Sequence, residues 1–229
     1  MNYIVIPAYQ PDNKLIKLIE KIHEKSDFHI LVIDDGSSSE CQKIFDKAKQ
    51  FATVIRHQVN QGKGQALKTA FTYIQEQNIY GTVVTADADG QHKVWDIFRT
   101  ANKASENPNK LILGVRAFSG KVPLRSRFGN SLTKALFKLQ TGVGVSDTQT
   151  GLRAFTTNLI PFMLKIEGQR YEYEMNMLLE ATKEYEILEV PIETVYINHN
   201  EASHFRPIQD GLMIYKNIFK FALSSLSSF

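Results

Sequence analysis

The sequence predicts an α/β fold with a mostly parallel central sheet and helices on both faces. Two observations carry this expectation. Short apolar runs alternate with longer helix-period segments from Tyr3 to Arg116, the order expected of repeated βαβ units. The runs are continuously apolar rather than alternating, as strands buried on both faces must be.

"YIVIP" opens the series as a strand. "DNKLIKLIEKIHEKS" follows as a helix, with Leu15, Ile16, Leu18, Ile19 and Ile22 on its apolar face. "FHILVIDD" is a second strand and "SSECQKIFDKAKQF" a second helix, with Ser38 or Ser39 as its N-cap. "ATVIRH", "GKGQALKTAFTYIQEQ" and "GTVVTADAD" repeat the pattern. "KVWDIFRTANKASE" is a helix ending before Pro108, and "KLILGVR" a further strand. After Arg116 the rhythm changes. A polar, basic loop precedes an amphipathic helix in "AFSGKVPLRSRFGNSLTKALFKLQTG", and "SDTQTGLRAFTT" reads as a loop leading into short elements. "EYEMNMLLEATKE" is helical, and "EILEVPIETVYIN" reads as a strand pair broken at Pro191. Trp95, Met175 and Met177 read as core, and Cys41 as an inert, small hydrophobe.

At 229 residues with no repeat, low-complexity stretch or linker, the chain reads as one large domain. The formal charge of +3 is too mild for a nucleic-acid binder, which needs a concentrated basic stripe. A single cysteine excludes a disulfide framework and a cysteine-rich metal site, and fits a cytoplasmic setting. "MNYIVIPAY" lacks the form of a signal peptide, and no apolar run approaches the ~20 residues needed to span a bilayer.

In an open α/β sheet, ligands bind beyond the carboxyl ends of the strands. Asp34 and Asp35 end the second strand and Asp87 and Asp89 the fourth, so both acidic pairs map to one sheet edge. On an extended segment, positions i and i+2 point the same way, letting Asp87 and Asp89 converge on one cation with Gln91 adding a neutral oxygen. Such a sparse set of hard oxygens suits Mg²⁺ or Mn²⁺ shared with a phosphate-bearing substrate. Read alone, a D-x-D is more often a loop cap or a solvated pair. "NQGKGQAL" fails the Walker and G-x-G-x-x-G patterns. It leaves Lys63 between glycines at a helix start, which is either an anion site or a solvated lysine.

Taken in order, "IVIPAY", "VIDDGSSSE", "RHQVNQGKGQAL", "TADADGQH" and "DTQTGLRAF" resemble the inverting glycosyltransferases of family 2, in the polyprenyl-phosphate branch. The resemblance spans Tyr3 to Phe155, with a looser echo to the C-terminus. It implies a GT-A fold, a nucleotide-sugar donor, a divalent cation (Mg²⁺ or Mn²⁺) and a polyprenyl (undecaprenyl) phosphate acceptor at the cytoplasmic membrane face. On this resemblance, Pro7 and Tyr9 flank the nucleotide base, Asp34, Asp35, Lys63 and Arg116 serve the donor, and Asp87, Asp89 and Gln91 hold metal and diphosphate. Arg125 and Arg127 lie near the acceptor phosphate, with Arg153, His204 and Arg206 as further acceptor contacts. Asp147 falls in the D-x-x-x-G-x-R segment on the acceptor side. Glu172 and Glu174 face either the site or a wet helix surface. One departure concerns the first motif. The family pattern Pro-x-Tyr-Asn-Glu is replaced here by Gln10, Pro11 and Asp12, which leaves the nucleotide open, with a uridine donor favoured over guanosine.

The resemblance divides the chain into a nucleotide-sugar half (1–116), an acceptor-side half (117–204) and a C-terminal amphipathic helix (205–229). In that helix Ile208, Leu212, Tyr215, Phe219, Ala222 and Leu226 share one face, suited either to packing on the domain or to lying on an anionic membrane surface. A membrane-protein partner or fused membrane domain is the other route to the bilayer. Two rival readings stand beside the main one. One is a same-fold transferase that glycosylates a saccharide or protein hydroxyl with Asp147 as base. The other is a non-catalytic partner or scaffold.

Overall fold

The computed structural model describes residues 1–116 and 124–193, with the backbone alone for 124–130 and Leu132. A seven-stranded sheet forms its centre, in the order β3-β2-β1-β4-β6-β5-β7. Its strands are β1 (Tyr3–Ala8), β2 (His29–Asp34), β3 (Thr53–Arg56), β4 (Thr82–Thr85), β5 (Lys110–Arg116), β6 (Arg153–Thr156) and β7 (Glu186–Ile192). All run parallel except β6, which is antiparallel to both β4 and β5.

The period-2 alternation of the strands sorts their side chains to two cores. Tyr3 and Val5 face one core, with Leu31, Phe71 and Phe155, while Ile4 and Ile6 face the other, with Leu15, Ile19 and Phe45. Helices α1 (Asn13–His23), α2 (Gln42–Ala48) and α4 (Val94–Glu106) supply buried residues to the second core. Helices α3 (Lys63–Glu76), α5 (Leu124–Thr141), α6 (Ile160–Lys165) and α7 (Glu172–Glu184) supply the first. Helices therefore cover both faces, as the continuous apolar runs require. Helix α1 carries all five of its expected apolar positions inward, and Asp12 caps it by accepting from the Lys14 N–H at 2.8 Å.

Several expectations are corrected. Strand β6 lies inside the segment read as loop. Helix α5 begins at Leu124, so Arg125 and Arg127 fall on helical backbone rather than in a basic loop. Strand β7 runs through Pro191 as one strand; it pairs with β5 alone among the described strands, and an edge strand tolerates a proline. Ser38 starts a single 3₁₀ turn ahead of α2 but makes no side-chain cap bond. Trp95 is 70% exposed in the first turn of α4 and is not core, whereas Met175 and Met177 are buried as expected. Among the described residues no helix is long and apolar enough to cross a membrane. His204, Arg206, the segment 205–229 and the side chains of Arg125 and Arg127 lie outside the described residues.

Candidate active site

The carboxyl end of β2 is built from two buried aspartates with separate tasks. Asp34 accepts from the Ser37 N–H at 2.8 Å and pairs with Arg56 Nε at 3.3 Å, fixing the turn that leaves the sheet. Gly36 sits in that turn at φ +73°, where a Cβ would come within 2.3 Å of the Val59 carbonyl carbon. Asp35 faces the loop 57–62. One of its oxygens accepts from His57 Nδ1 at 2.8 Å and the Gln61 N–H at 2.9 Å. The other accepts from Asn60 Nδ2 and the Gly62 N–H, both at 2.8 Å. The carboxylate that the resemblance assigns to the nucleotide therefore also spends four acceptor bonds holding the start of α3.

That loop aims Lys63. Gly62 adopts φ +102° and passes against Gln169, and a Cβ on Gly64 would meet the Tyr173 side chain at 2.5 Å. The close approach brings α3's first residue over both β4 and α7. Lys63 Nζ lies 2.8 Å from Asp87 Oδ1 and 2.8 Å from Glu174 Oε2. Burial disfavours the ammonium, but these two carboxylates outweigh it and hold its pKa above the ordinary lysine value.

Strand β4 ends at Thr85; Asp87 follows it at the entrance to a turn that holds Asp89, and Gly90 continues that turn at φ +75°. His92 Nε2 lies 3.3 Å from Asp87 Oδ2, so both Asp87 oxygens face a donor. Burial works against the Asp87 charge, yet Lys63 and His92 prevail and hold this carboxyl well below its usual range. Asp89 behaves in the opposite way. Burial, and then the charge of Asp87, push its pKa up, while the Gln91 N–H bond at 3.0 Å offsets only part. Two carboxylates thus repel each other at the sheet edge. Gly151 forms the wall beside them, where a Cβ would come within 2.4 Å of Asp87 Oδ2. Gly151→Ala should therefore displace Asp87 without altering any polar group. The expected result is a fall in kcat/KM of about a hundredfold at a nearly unchanged melting temperature, measured by steady-state kinetics and thermal melting.

The acceptor-side half contributes the remaining charges. Asp147, fully buried, takes a bidentate grip from Arg116, with Nε 2.6 Å from Oδ2 and Nη2 3.0 Å from Oδ1. Arg153 is also buried. Its Nε donates to the Thr150 carbonyl at 3.0 Å and its Nη1 to the Glu174 carbonyl, so the guanidinium braces α7 from below. Glu172, the first residue of α7, accepts from the Gln169 and Arg170 N–H groups and so holds the segment that enters the helix. Glu174 and Glu172 are thus both buried rather than wet, and only Glu174 touches Lys63. Pro7 and Tyr9 stand at the carboxyl end of β1, Pro7 half-buried and Tyr9 exposed.

Sequence reasoning did not name His92 for the site, and it left Glu174 open between the site and a wet helix surface. Glu174 reaches the site only because α7 packs across α3. His92 follows the D-x-D turn directly in "DGQH", a local signal for it. Among the described residues no three acidic, histidine or cysteine side chains form a complete cation cage. Lys63 pairs with Asp87 and Glu174, and Arg116 with Asp147, while Asp89 makes no ion pair among the described residues. An incomplete, repelling carboxylate pair of this kind fits a hard divalent cation whose other ligands come from a phosphate group.

The Glycosyl transferase family 2 model matches residues 3–162. The chain is 28% identical over 221 residues to the UDP-N-acetylglucosamine–dolichyl-phosphate N-acetylglucosaminyltransferase of Methanococcus voltae, covering 87% of this chain and 88% of that one. It is 23% identical over 201 residues to the polyprenol monophosphomannose synthase of Mycolicibacterium smegmatis, covering 82% and 75%. Among solved structures, glucosyl-3-phosphoglycerate synthase from Mycobacterium tuberculosis, in complex with Mn²⁺, UDP and phosphoglyceric acid, superposes with a TM-score of 0.71 at 17% identity. It covers 98% of this chain and 78% of that one, and shares the fold. With a sheet edge carrying an acidic pair and a family match over most of the chain, the protein belongs to glycosyl transferase family 2 and is a glycosyltransferase of GT-A fold.

Proposed function

We propose that this enzyme moves a sugar, with inversion, from a nucleotide-sugar donor to a polyprenyl phosphate. The observation that carries the reading is the repelling Asp87–Asp89 pair beside Lys63 at the carboxyl edge of the sheet. The names of the dolichyl-phosphate and polyprenol relatives support the acceptor class. Asp87, Asp89 and Gln91 would hold Mg²⁺ or Mn²⁺ in this reading, which would supply positive charge against that developing on the leaving diphosphate. Pro7, Tyr9 and the Asp34–Asp35 turn position the base, with uridine favoured over guanosine. Lys63 binds the diphosphate.

An acceptor oxygen attacks the anomeric carbon as the bond from that carbon to the diphosphate breaks, and the nucleoside diphosphate leaves with the electron pair. A phosphate acceptor is already anionic and needs little help from a base. Arg125 and Arg127 orient it through their forked donors, with His204 and Arg206 as the other candidates. The burial of Arg153 against the Thr150 and Glu174 carbonyls counts against the acceptor role first given to it. The enclosure of Asp147 favours this reading over transfer to a hydroxyl. A general base must reach the proton it removes, and Asp147 has both oxygens held by Arg116 with no exposed surface. The enzyme would work at the cytoplasmic membrane face, brought there by the amphipathic segment 205–229, a membrane-protein partner or a fused membrane domain.

A donor screen against undecaprenyl phosphate with Mn²⁺ or Mg²⁺, reading lipid-extractable sugar, tests the proposal. Lipid-linked product with one nucleotide-sugar is expected. In Arg125→Ala/Arg127→Ala the acceptor KM should rise, or kcat fall, with donor affinity near normal. Transfer to a neutral hydroxyl acceptor, with no lipid product, would overturn the acceptor assignment.

A further inference from the structure

Lys63 already sits on the carboxylate that a cation would share. Asp87 Oδ1 accepts from its ammonium at 2.8 Å and Oδ2 faces His92 at 3.3 Å, so a cation arriving at Asp87 is brought close to the lysine's positive charge. His92 is buried on a short side chain, whereas Lys63 has a flexible stem and a second partner. That partner is Glu174, whose Oε2 lies 2.8 Å from the same ammonium. An ammonium and a divalent cation sharing one half-buried carboxylate repel each other.

We propose that Lys63 is a place-holder for the cation and that Glu174 is the positioning residue that keeps Lys63 when Asp87 gives it up. The proposal rests on the reading that Asp87 holds a divalent cation. Without cation, the ammonium bridges half-buried Asp87 and buried Glu174 and offsets their charge. On cation binding it withdraws onto Glu174. Its other N–H donors are then open to the donor diphosphate, which couples cation and nucleotide binding. Glu174 is suited to this because α7 is anchored independently of Lys63, through the Glu172 bonds to the Gln169 and Arg170 N–H groups and the Arg153 bond to the Glu174 carbonyl. The carboxylate therefore keeps its place while the lysine moves.

Titration of the purified enzyme with Mn²⁺, followed by electron paramagnetic resonance without nucleotide, tests this. Lys63→Met removes the competitor and should tighten Mn²⁺ about tenfold, while Glu174→Gln commits Lys63 to Asp87 and should weaken it about tenfold. The double variant should match Lys63→Met, because Glu174 acts only through the lysine. A purely structural Glu174 would weaken binding in both backgrounds, and that result overturns the proposal. So does weaker Mn²⁺ binding in Lys63→Met. If Lys63→Met folds poorly because Glu174 is stranded, comparing Glu174→Gln with the double variant reads the same coupling. Recovery of about tenfold is then expected, and no recovery overturns the proposal. Wild-type enzyme that binds neither Mn²⁺ nor a Mn²⁺–UDP mixture would overturn the underlying cation reading as well. Retained binding with the wrong order among variants overturns only the place-holder role.

Discussion

Asp89→Asn should lower kcat/KM by about three orders of magnitude, since a charged ligand worth several kcal/mol at the transition state is replaced by a neutral one of the same shape. The same change should leave the metal-free protein at least as stable as wild type. The sign follows from the electrostatics. Burial and Asp87 raise the Asp89 pKa in the folded state. The cost of its charge therefore builds as pH rises from the ordinary aspartate range through the raised pKa, is full above that, and is absent at lower pH where both states are protonated. Asparagine removes this cost at neutral pH. Added Mn²⁺ should then raise the melting temperature of wild type through mass action but not that of the variant. Thermal melts with and without Mn²⁺ and nucleotide, beside initial rates, separate the two effects. Normal turnover in the variant, or in chelated wild type, would remove the cation from the mechanism.

The largest stability effect is expected at Asp35. Asp35→Ala strands His57, Asn60 and the N–H groups of Gln61 and Gly62, all bonded to one buried carboxylate. Losing such a set costs about 3–5 kcal/mol, roughly a 10 °C drop in melting temperature for a chain of this size. Donor affinity should fall too, because the same loop aims Lys63. A melting temperature within a degree or two of wild type would show that the loop is held by other contacts.

Strands β1 to β5 were legible because strands buried on both faces need uninterrupted apolar runs. Strand β6 was not. "RAFT" is short, begins with a charged residue and follows a polar stretch, and Arg153 is accommodated only because Thr150 and Glu174 carbonyls from elsewhere accept its protons. Trp95 misled for a related reason. An aromatic in a helix suggests burial, but the core face of α4 is set by Ile97, Phe98, Ala101 and Ala104, and Trp95 lies off it. In the site, the acidic pairs at the ends of β2 and β4 could be read from position alone. What the sequence hid was which of them are already committed. The bonds from Asp35 to residues 57–62, from Asp147 to Arg116 and from Lys63 to Glu174 all join segments distant in the chain, and no local pattern records them.

The lone antiparallel strand has a consequence for the order in which the molecule can assemble. Strands β1 to β4 pair with one another using only the first 85 of the 229 residues, so this side of the sheet can form once that length has emerged. Strand β6 must then return across 66 residues, the span of the Thr85 hydroxyl bond to the Gly151 carbonyl. It wedges between β4 and β5, and closing so long a loop is slow. Gly151 arrives with that strand and completes the wall around Asp87. A nascent chain therefore carries its carboxylate pair well before it carries the enclosure that makes the pair useful, and the reactive geometry is among the last features to be set.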